Sequence, residues 1–220
     1  MTLTFQSLKA PLLAVFIVLG LAIQCEPAQA ASTKKAYFAG GCFWCVEADF
    51  EKLKGVGEVV SGYTGGTVAN PTYKQVTRGG TGHYEAVEIR YDPSRISYEQ
   101  LLHAFFRSVD PTDAGGQFCD RGNSYRTAVF VQNPEEKAAA ESVKAAAERE
   151  LGKKIVTPIL EAKPFYLAEE YHQDYYKGED LVLTRRGPKK MKDAYKFYRD
   201  ACGRDERVRQ LWGNAALFAG

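Results

Sequence analysis

The sequence has little imbalance of charge, few histidines and no apolar run of membrane-spanning length, and each shortage excludes a class of protein. Its 29 basic and 27 acidic residues leave a formal net charge of +2, which argues against a nucleic-acid-binding protein driven by bulk charge. A structural zinc site is disfavoured, because the chain has only three histidines and only one pair of closely spaced cysteines. Because the chain also lacks internal repeats and low-complexity linkers, its 220 residues predict a single domain with its own core.

The first 30 residues differ in character from the rest of the chain. Lys9 precedes an apolar run over residues 11–23, and Ala28-Gln29-Ala30 follows as a cleavage signal of small residues. This order is typical of a secretory signal peptide, and the run of about 13 residues is too short to span a membrane comfortably. We therefore expect cleavage before Ala31 and a catalytic domain over residues 31–220. The protein would be exported to the periplasm or the exterior, with membrane contact only during export.

The periodicity along residues 31–220 predicts strands alternating with helices. The predicted strands cover residues 36–39, 58–63, 85–91, 126–132 and 155–161, and the predicted helices cover residues 43–54, 97–106 and 134–151. Two long loops, over residues 67–81 and 110–123, separate these elements, and helical pieces near residues 168–176 and 188–198 form a C-terminal tail. Mixed strands with helices on one face indicate an α+β two-layer sandwich with a mixed β-sheet.

The most informative segment is Gly40-Gly41-Cys42-Phe43-Trp44-Cys45, at a predicted strand-to-helix turn. The glycines give this turn the backbone freedom that it needs. Cys42 falls at the start of the helix, where free N–H groups and the helix dipole favour a thiolate. Phe43 and Trp44 add an apolar wall beside the sulfur. The segment therefore predicts a sulfur nucleophile that faces a small apolar group.

The spacing of Cys42 and Cys45 allows three interpretations: a thioredoxin-type redox pair, half of a metal site, or a nucleophile with a resolving partner. A metal site would need a second close pair, and Cys119 and Cys202 are isolated. A thioredoxin-type site usually has small residues between the cysteines, whereas Phe43-Trp44 is bulky and apolar. The third interpretation is therefore favoured, with no metal. Because export implies an oxidising compartment, a structural disulfide among the four cysteines after residue 30 also stays open.

Polar groups that could assist the nucleophile occur in three other segments. Glu85 begins a predicted strand, and among aromatic residues its carboxyl would stay protonated and could donate a proton. Tyr73 and Tyr125 lie in the long loops, and a tyrosine hydroxyl can donate to a polar oxygen in an apolar cage. Asp120 can support the second loop through hydrogen bonds.

Seven motifs follow one another between about residue 35 and residue 177: Gly40-Gly41-Cys42-Phe43-Trp44, Gly62-Tyr63-Thr64-Gly65-Gly66, Asn70-Pro71-Thr72-Tyr73, Gly82-His83-Tyr84-Glu85-Ala86-Val87, Tyr91-Asp92-Pro93, Asp120-Arg121-Gly122-Asn123-Ser124-Tyr125-Arg126 and Tyr171-His172-Gln173. Together they resemble peptide methionine sulfoxide reductase A. The resemblance implies a ferredoxin-like plait and thiol-dependent reduction of methionine S-sulfoxide, free or in proteins. It implies no cofactor.

The same resemblance assigns roles to matching residues. It makes Cys42 the nucleophile and gives the substrate methyl group to Phe43 and Trp44. Glu85, Tyr73 and Tyr125 would bind the sulfoxide oxygen, and Asp120 would support the site.

Cys42 would pass through a sulfenic acid, which a second thiol converts to an intramolecular disulfide. Cys45, Cys202 and Cys119 are the candidates for this resolving thiol. Cys45 is favoured because it reaches Cys42 without loop movement. Cys45 and Cys119 stand where many family members have Gly and Asn, and the segment around Cys202 is not the Gly-rich tail of some members, so the resemblance does not choose among the three. A thioredoxin-like dithiol would reset the enzyme, which we expect to be a monomer that repairs oxidised exported proteins.

Two alternatives remain from the residues alone. A general thiol–disulfide oxidoreductase explains the cysteines but leaves Glu85 and the Phe43-Trp44 wall without a role. A binding module could use the aromatic cage for methionine-containing peptides, with structural cysteines. Turnover of methionine sulfoxide with a dithiol reductant discriminates between these functions.

Overall fold

A computed structural model describes residues 33–219, which form ten strands and six helices in mixed order. The predicted signal peptide lies outside the described residues. In chain order the elements are β1 (Lys34–Gly40), α1 (Phe43–Phe50), β2 (Val56–Thr64), α2 (Tyr73–Arg78), β3 (Tyr84–Tyr91), α3 (Tyr98–Phe106), β4 (Gly116–Gln117), β5 (Asp120–Arg121), β6 (Thr127–Val131), α4 (Pro134–Leu151), β7 (Ile159–Glu161), β8 (Tyr166–Leu167), β9 (Leu181–Thr184), β10 (Gly187–Lys190), α5 (Met191–Ala201) and α6 (Arg204–Trp212).

One sheet of six strands organises the molecule, in the order β7-β6-β1-β3-β2-β8. Its neighbouring strands are antiparallel except β6 and β7, which are parallel. In the centre of the sheet, Phe38 of β1 lies opposite Val87 on one side and Val129 on the other. The mixed sheet with helices is therefore confirmed. The finer assignment to a ferredoxin-like plait stays a prediction.

Three of the helices, α2, α3 and α4, begin where the sequence provides a capping side chain. Ser97 Oγ accepts from the Gln100 N–H at 3.2 Å, and Gln100 Oε1 accepts from the Ser97 N–H at 2.8 Å, which makes a capping box at the start of α3. Asn133 Oδ1 accepts from the Glu136 N–H at 2.8 Å and so caps α4, and Gly152 ends that helix in the left-handed conformation. The predicted bounds of α4 are confirmed, because each end carries its own local signal.

Strand β3 is more deeply buried than its alternating pattern predicts. Val87, Ile89 and Tyr91 point into the main core, but the intervening side chains of this strand are buried as well, except the half-buried Arg90. Because β3 pairs with β1 and β2 and the sheet is covered on both faces, this strand places a carboxyl such as Glu85 away from water.

Other predicted bounds differ from the structure. Helix α1 ends at Phe50 rather than near residue 54, because the N–H groups of Lys52 and Leu53 bond three residues back and tighten the chain. The strand predicted over residues 155–161 is shorter in the structure, where β7 covers only Ile159–Glu161. The first long loop contains α2, and the second contains the short hairpin of β4 and β5.

The tail differs most from its prediction. The segment predicted as helix near residues 168–176 consists of two 3₁₀ turns, and residues 181–190 form a β-hairpin. Helix α5 therefore begins at Met191, not near residue 188. Within residues 33–219 there is no helix of the length and apolarity that crossing a membrane requires.

Candidate active site

The turn between β1 and α1 fixes the position of Cys42. Gly41 has a φ of +84°, and a Cβ atom there would lie 2.5 Å from Gln117 Cβ, so this turn accepts only glycine. Cys42 is the N-cap residue of α1, and its carbonyl oxygen accepts from the Cys45 N–H at 3.1 Å. The sequence predicted this placement. Its side chain makes no capping hydrogen bond, which leaves the sulfur available for chemistry.

Cys42 and Cys45 are free thiols, both buried, and they hydrogen-bond to each other. Burial, and then this hydrogen bond, raises the pKa of Cys42 well above its ordinary value. The pKa of Cys45 is lowered, first by the hydrogen bond with Cys42 and then by the positive charges of Arg204 and Arg199 in the tail. Burial opposes this by raising the pKa, but it is outweighed. Of the two thiols, Cys45 is therefore the one whose surroundings favour ionisation. Burial of Cys42 thus opposes the effect of the helix start, which favours a thiolate at this residue.

One cavity of about 70 Å³ opens beside Cys42. Its lining residues are Cys42, Phe43, Trp44, Tyr73, Glu85, Asp120, Tyr125 and Tyr198. The structure thus brings together every predicted catalytic and substrate-binding residue and adds Tyr198, which the sequence did not single out. A larger cavity of about 590 Å³ lies at the start of α4 and contains none of these groups.

Glu85 and Asp120 are the carboxyl groups that line this cavity, and Glu85 is the more deeply buried of the two. Its side chain is buried in the protein, and its Oε2 accepts from the Phe43 N–H at 3.2 Å. Burial raises the pKa of Glu85 to about 8, the negative charge of Asp120 adds to the increase, and the Phe43 N–H opposes it. The carboxyl is therefore mostly protonated at neutral pH. Oε1 has no hydrogen-bond partner within the described residues, so Glu85 can donate to a substrate oxygen.

Tyr73 and Tyr125 remain protonated beside Glu85. Burial and the charge of Glu85 raise the pKa of Tyr73 to about 12 and raise that of Tyr125 above its ordinary value. The backbone N–H of Tyr73 donates to Glu169 Oε1 at 2.9 Å, which fixes the start of α2. The site therefore contains three side-chain O–H groups, one carboxyl and two tyrosine hydroxyls, that can donate hydrogen bonds to one polar oxygen.

The apolar wall of the site is built around Trp44. Its ring stacks on Tyr175 with 3.8 Å between centroids and 5° between planes. Its Nε1–H donates to His172 Nδ1 at 3.2 Å, and burial lowers the pKa of His172 to about 4. A neutral His172 with an unprotonated Nδ1 therefore fixes the indole. His172 lies in the last of the seven motifs and Tyr175 follows that motif closely. Only the fold reveals that both residues contact Trp44.

The C-terminal tail closes the remaining side of the site. The Tyr198 hydroxyl of α5 donates to Asp120 Oδ2. The pKa of Asp120 is raised above its ordinary value, mainly because the carboxyl is buried. A disulfide joins Cys119 to Cys202. Two of the three candidate resolving thiols are therefore bonded to each other, while Cys45 is free and contacts Cys42.

One acidic group in the described residues has oxygen atoms close enough to share a cation, and it consists of Glu47, Glu51 and Asp174. Glu47 already accepts from the Ser61 hydroxyl at 2.5 Å and from the Asp174 N–H at 2.6 Å. Glu51 accepts from Tyr176 and Lys177. These protein donors occupy the carboxylates, and the cluster lies outside the residues that line the cavity.

A buried thiol pair beside a protonated carboxyl and an aromatic wall defines a thiol-dependent oxidoreductase. A family profile described as peptide methionine sulfoxide reductase matches residues 34–213, and the chain belongs to this family. It is therefore a peptide-methionine sulfoxide reductase, and the resemblance seen in the sequence motifs is confirmed.

Relatives and solved structures agree with this placement. Peptide methionine sulfoxide reductase MsrA 2 of Rhizobium meliloti is 47% identical over 194 residues, which cover 88% of this chain and 90% of that protein. The MsrA 2 of Caulobacter vibrioides is 51% identical over 188 residues, covering 85% and 90%. Reduced Mxr1 from Saccharomyces cerevisiae matches with a TM-score of 0.63 and 32% identity, covering 66% of this chain and 85% of that chain. Methionine sulfoxide reductase A of Corynebacterium diphtheriae matches with a TM-score of 0.59 and 31% identity, covering 67% and 75%.

Proposed function

We propose that this protein reduces the S epimer of methionine sulfoxide, free or in proteins, through a sulfenic acid at Cys42 and then an intramolecular disulfide. The observation that carries this proposal is the shared cavity of Cys42, the protonated Glu85 and the Phe43-Trp44 wall. The epimer follows from the likeness to relatives named MsrA, since each type of reductase acts on one epimer.

The first step is oxygen transfer from the substrate to Cys42. The sulfoxide oxygen accepts hydrogen bonds from Glu85, Tyr73 and Tyr125, which make the substrate sulfur electrophilic. The Cys42 proton passes to the Cys45 thiolate, and the Cys42 sulfur then attacks. This attack forms a bond between the Cys42 sulfur and the substrate sulfur, and Glu85 gives one proton to the oxygen. The resulting hydroxyl group passes to Cys42 as the sulfur–sulfur bond and the substrate sulfur–oxygen bond break, which releases methionine and leaves Cys42 as a sulfenic acid. The substrate sulfur is reduced by two electrons and Cys42 is oxidised by two.

The second step is disulfide formation with Cys45. The Cys45 thiol attacks the sulfur of the Cys42 sulfenic acid, and one water leaves. Two observations support Cys45 as the resolving thiol. It already hydrogen-bonds to Cys42, and the other candidates, Cys119 and Cys202, are occupied by their mutual disulfide.

Recycling requires an external dithiol, for which we propose a thioredoxin-like protein. Thiol–disulfide exchange returns Cys42 and Cys45 to their reduced form, and the chemistry requires no metal or organic cofactor. The pattern of residues 1–30 supports export and the repair of oxidised exported proteins. Because the site is complete within one chain, a monomer suffices for this activity.

The test is turnover of both epimers of peptide methionine sulfoxide with a dithiol reductant. We expect methionine from the S epimer and none from the R epimer, with all turnover lost in Cys42→Ser. Reduction of unrelated protein disulfides without sulfoxide turnover would instead identify a general thiol–disulfide oxidoreductase. Binding of the peptide without turnover would identify a binding module.

A further inference from the structure

We propose that a second cavity, between the β9–β10 hairpin and α5, is a subsite for the polypeptide that carries the methionine sulfoxide. The subsite binds an apolar side chain two residues from the sulfoxide, together with the carboxylate of an acidic residue next to it. This inference rests on the proposed function, because it names a class of substrate for the same site: segments of oxidised proteins in which apolar and acidic residues flank the methionine sulfoxide.

The second cavity adjoins the one beside Cys42. Trp44 and Tyr198 line both cavities, and their rings meet nearly edge-on at 6.2 Å between centroids. The second cavity has a volume of about 430 Å³, which is in the range of ligand-binding pockets, and its other walls come from the hairpin, α5 and Tyr175. Because the two cavities share these rings, one ligand can occupy both at once.

An extended polypeptide has the geometry that such a ligand needs. Its successive side chains point to opposite sides, so side chains two residues apart point to the same side, about 7 Å apart along the chain. A methionine sulfoxide above Cys42 therefore directs the side chain two positions away past Trp44 and into the second cavity. A concave cavity of this kind accepts single side chains, whereas the broad surface of a folded reductant does not enter it.

The apolar part of the subsite is centred on Phe197. This large side chain of α5 lines the cavity and is 42% exposed. The Arg186 guanidinium lies over its ring, with Cζ 4.2 Å from the ring centroid, and Tyr175 stacks on Trp44 at the opposite wall. The protein thus holds aromatic surface in place without covering it, and a leucine-sized side chain of the substrate would bury that surface.

The charge of the subsite is positive. Arg185 and Arg186 form the tip of the hairpin, Lys189 follows in β10, and all three line the cavity. Their side chains form no ion pair with any residue in the part of the chain that the structure describes. Glu179, at the base of the hairpin, is already bonded to two other lysines. A carboxylate of the substrate is therefore the complementary group at this tip.

The hairpin holds these cations at a defined place. Thr184 Oγ1 accepts from the Arg186 N–H at 3.1 Å, and its hydroxyl donates to the Gly187 carbonyl oxygen at 2.7 Å, which closes the tip. The Met191 N–H donates to the Asp180 carbonyl oxygen at 2.9 Å, which closes the base where α5 begins. The cations are therefore presented by a hydrogen-bonded turn beside the apolar cavity.

The experiment measures single turnovers of capped, palindromic heptapeptides with methionine S-sulfoxide at the centre. In the first peptide, glycine, leucine and glutamate follow the sulfoxide in both directions, so the direction of binding does not matter. The second peptide has lysine in place of glutamate, and the third has alanine in place of leucine. Capped ends exclude binding through a terminal carboxylate. N-acetylmethionine sulfoxide, which is too short for the second cavity, is the reference substrate, and no reductant is present.

Two variants remove the two parts of the subsite separately. Arg185→Glu/Lys189→Glu reverses its charge and leaves Arg186 on the Phe197 ring, whereas Phe197→Ala removes the apolar centre. The matched control is Lys153→Glu/Lys154→Glu, which makes the same change of net charge at exposed residues that line neither cavity.

We expect the wild type to have a half-saturation concentration roughly tenfold lower for the glutamate peptide than for the lysine peptide, and this preference should shrink at high salt. Arg185→Glu/Lys189→Glu should reverse the preference. Phe197→Ala should lower the preference for the leucine peptide over the alanine peptide by roughly fivefold. Lys153→Glu/Lys154→Glu should keep both wild-type preferences, because those lysines do not contact the substrate.

Two results would overturn the inference while leaving the proposed function intact. One is an equal effect of Arg185→Glu/Lys189→Glu and the control variant on the peptide preference. The other is a wild-type peptide preference in Arg185→Glu/Lys189→Glu, combined with a raised half-saturation concentration for a thioredoxin-like protein reductant in steady-state turnover, which would assign the cavity to the reductant. A wild-type protein that forms no methionine from N-acetylmethionine sulfoxide would instead remove the proposed function itself, and this inference with it.

Discussion

Replacing Glu85 by glutamine should change the pH dependence of stability in a defined direction. In the folded protein the pKa of Glu85 is about 8 because the carboxyl is buried, whereas an unfolded glutamate titrates near 4.5. Between these two values the folded state binds more protons than the unfolded state, so the wild type loses stability as pH rises. The glutamine side chain carries no charge at any pH, and the variant therefore lacks this loss.

The magnitude follows from the raised pKa. Each pH unit inside the window changes the free energy of unfolding by about 1.4 kcal/mol. Between about pH 5 and about pH 7.5, Glu85→Gln should therefore gain about 3 kcal/mol relative to the wild type. The measurement is urea unfolding of both proteins at a series of pH values, with the difference in free energy plotted against pH.

Glu88→Gln is the matched control on the same strand. Burial of Glu88 is outweighed by hydrogen bonds from Lys35 and Tyr37, which hold the pKa of this carboxyl below its usual range. Glu88 is thus ionised in both states above about pH 5, and its difference plot should be flat there. A flat plot for Glu85→Gln as well would refute the conclusion that Glu85 is protonated in the folded enzyme.

The same substitution tests the acid role in catalysis. The glutamine side chain still donates a hydrogen bond but cannot transfer a proton, so the chemical step should slow by roughly ten- to ten-thousand-fold. In the wild type the single-turnover rate should fall as pH rises through about 8, where Glu85 loses its proton. An unchanged single-turnover rate in Glu85→Gln would remove this residue from the acid role.

Four further predictions concern the thiols, the tyrosines and the leader. Cys42→Ser should fold normally and form no methionine, and a folded variant with normal turnover would contradict the mechanism. Cys45→Ser should form the Cys42 sulfenic acid more slowly, because the variant lacks the base that accepts the Cys42 proton, and should then accumulate it, which a dimedone adduct detected by mass spectrometry would reveal; its absence after methionine formation would point to another resolving thiol. Tyr73→Phe and Tyr125→Phe should each slow the single-turnover rate by roughly a hundred-fold, since each removes one donor to the sulfoxide oxygen, and rates equal to wild type would exclude that role. Intact-mass measurement of exported protein should give a chain that begins at Ala31, and a mass including residues 1–30 would refute cleavage there.

The parts of the fold that the sequence predicts are those with local signals. Helix α4 has Asn133 and Pro134 at one end and Gly152 at the other, and its bounds agree with the prediction. Cys42 lies at the helix start that Gly41 makes possible. Such features depend on residues within a few positions of one another, so they can be read from short segments of sequence.

The features that the sequence does not predict depend on contacts between distant segments. Tyr198 reaches Asp120 from 78 positions away, and nothing near Tyr198 in the sequence marks it as a pocket residue. The lower pKa of Cys45 relative to Cys42 likewise depends on their packing and on arginines of the tail. The helix-start argument for a Cys42 thiolate omitted burial, which is the largest effect on that thiol.

The most direct test of the mechanism is a single turnover followed by disulfide mapping. Protein with reduced Cys42 and Cys45 receives one equivalent of a peptide containing methionine S-sulfoxide, without any reductant, and the products are separated and digested under acidic conditions. The account predicts about one methionine per chain, a new Cys42–Cys45 disulfide and an unchanged Cys119–Cys202 disulfide. Failure to form methionine, or a first-formed bond from Cys42 to Cys202 or Cys119, would contradict it.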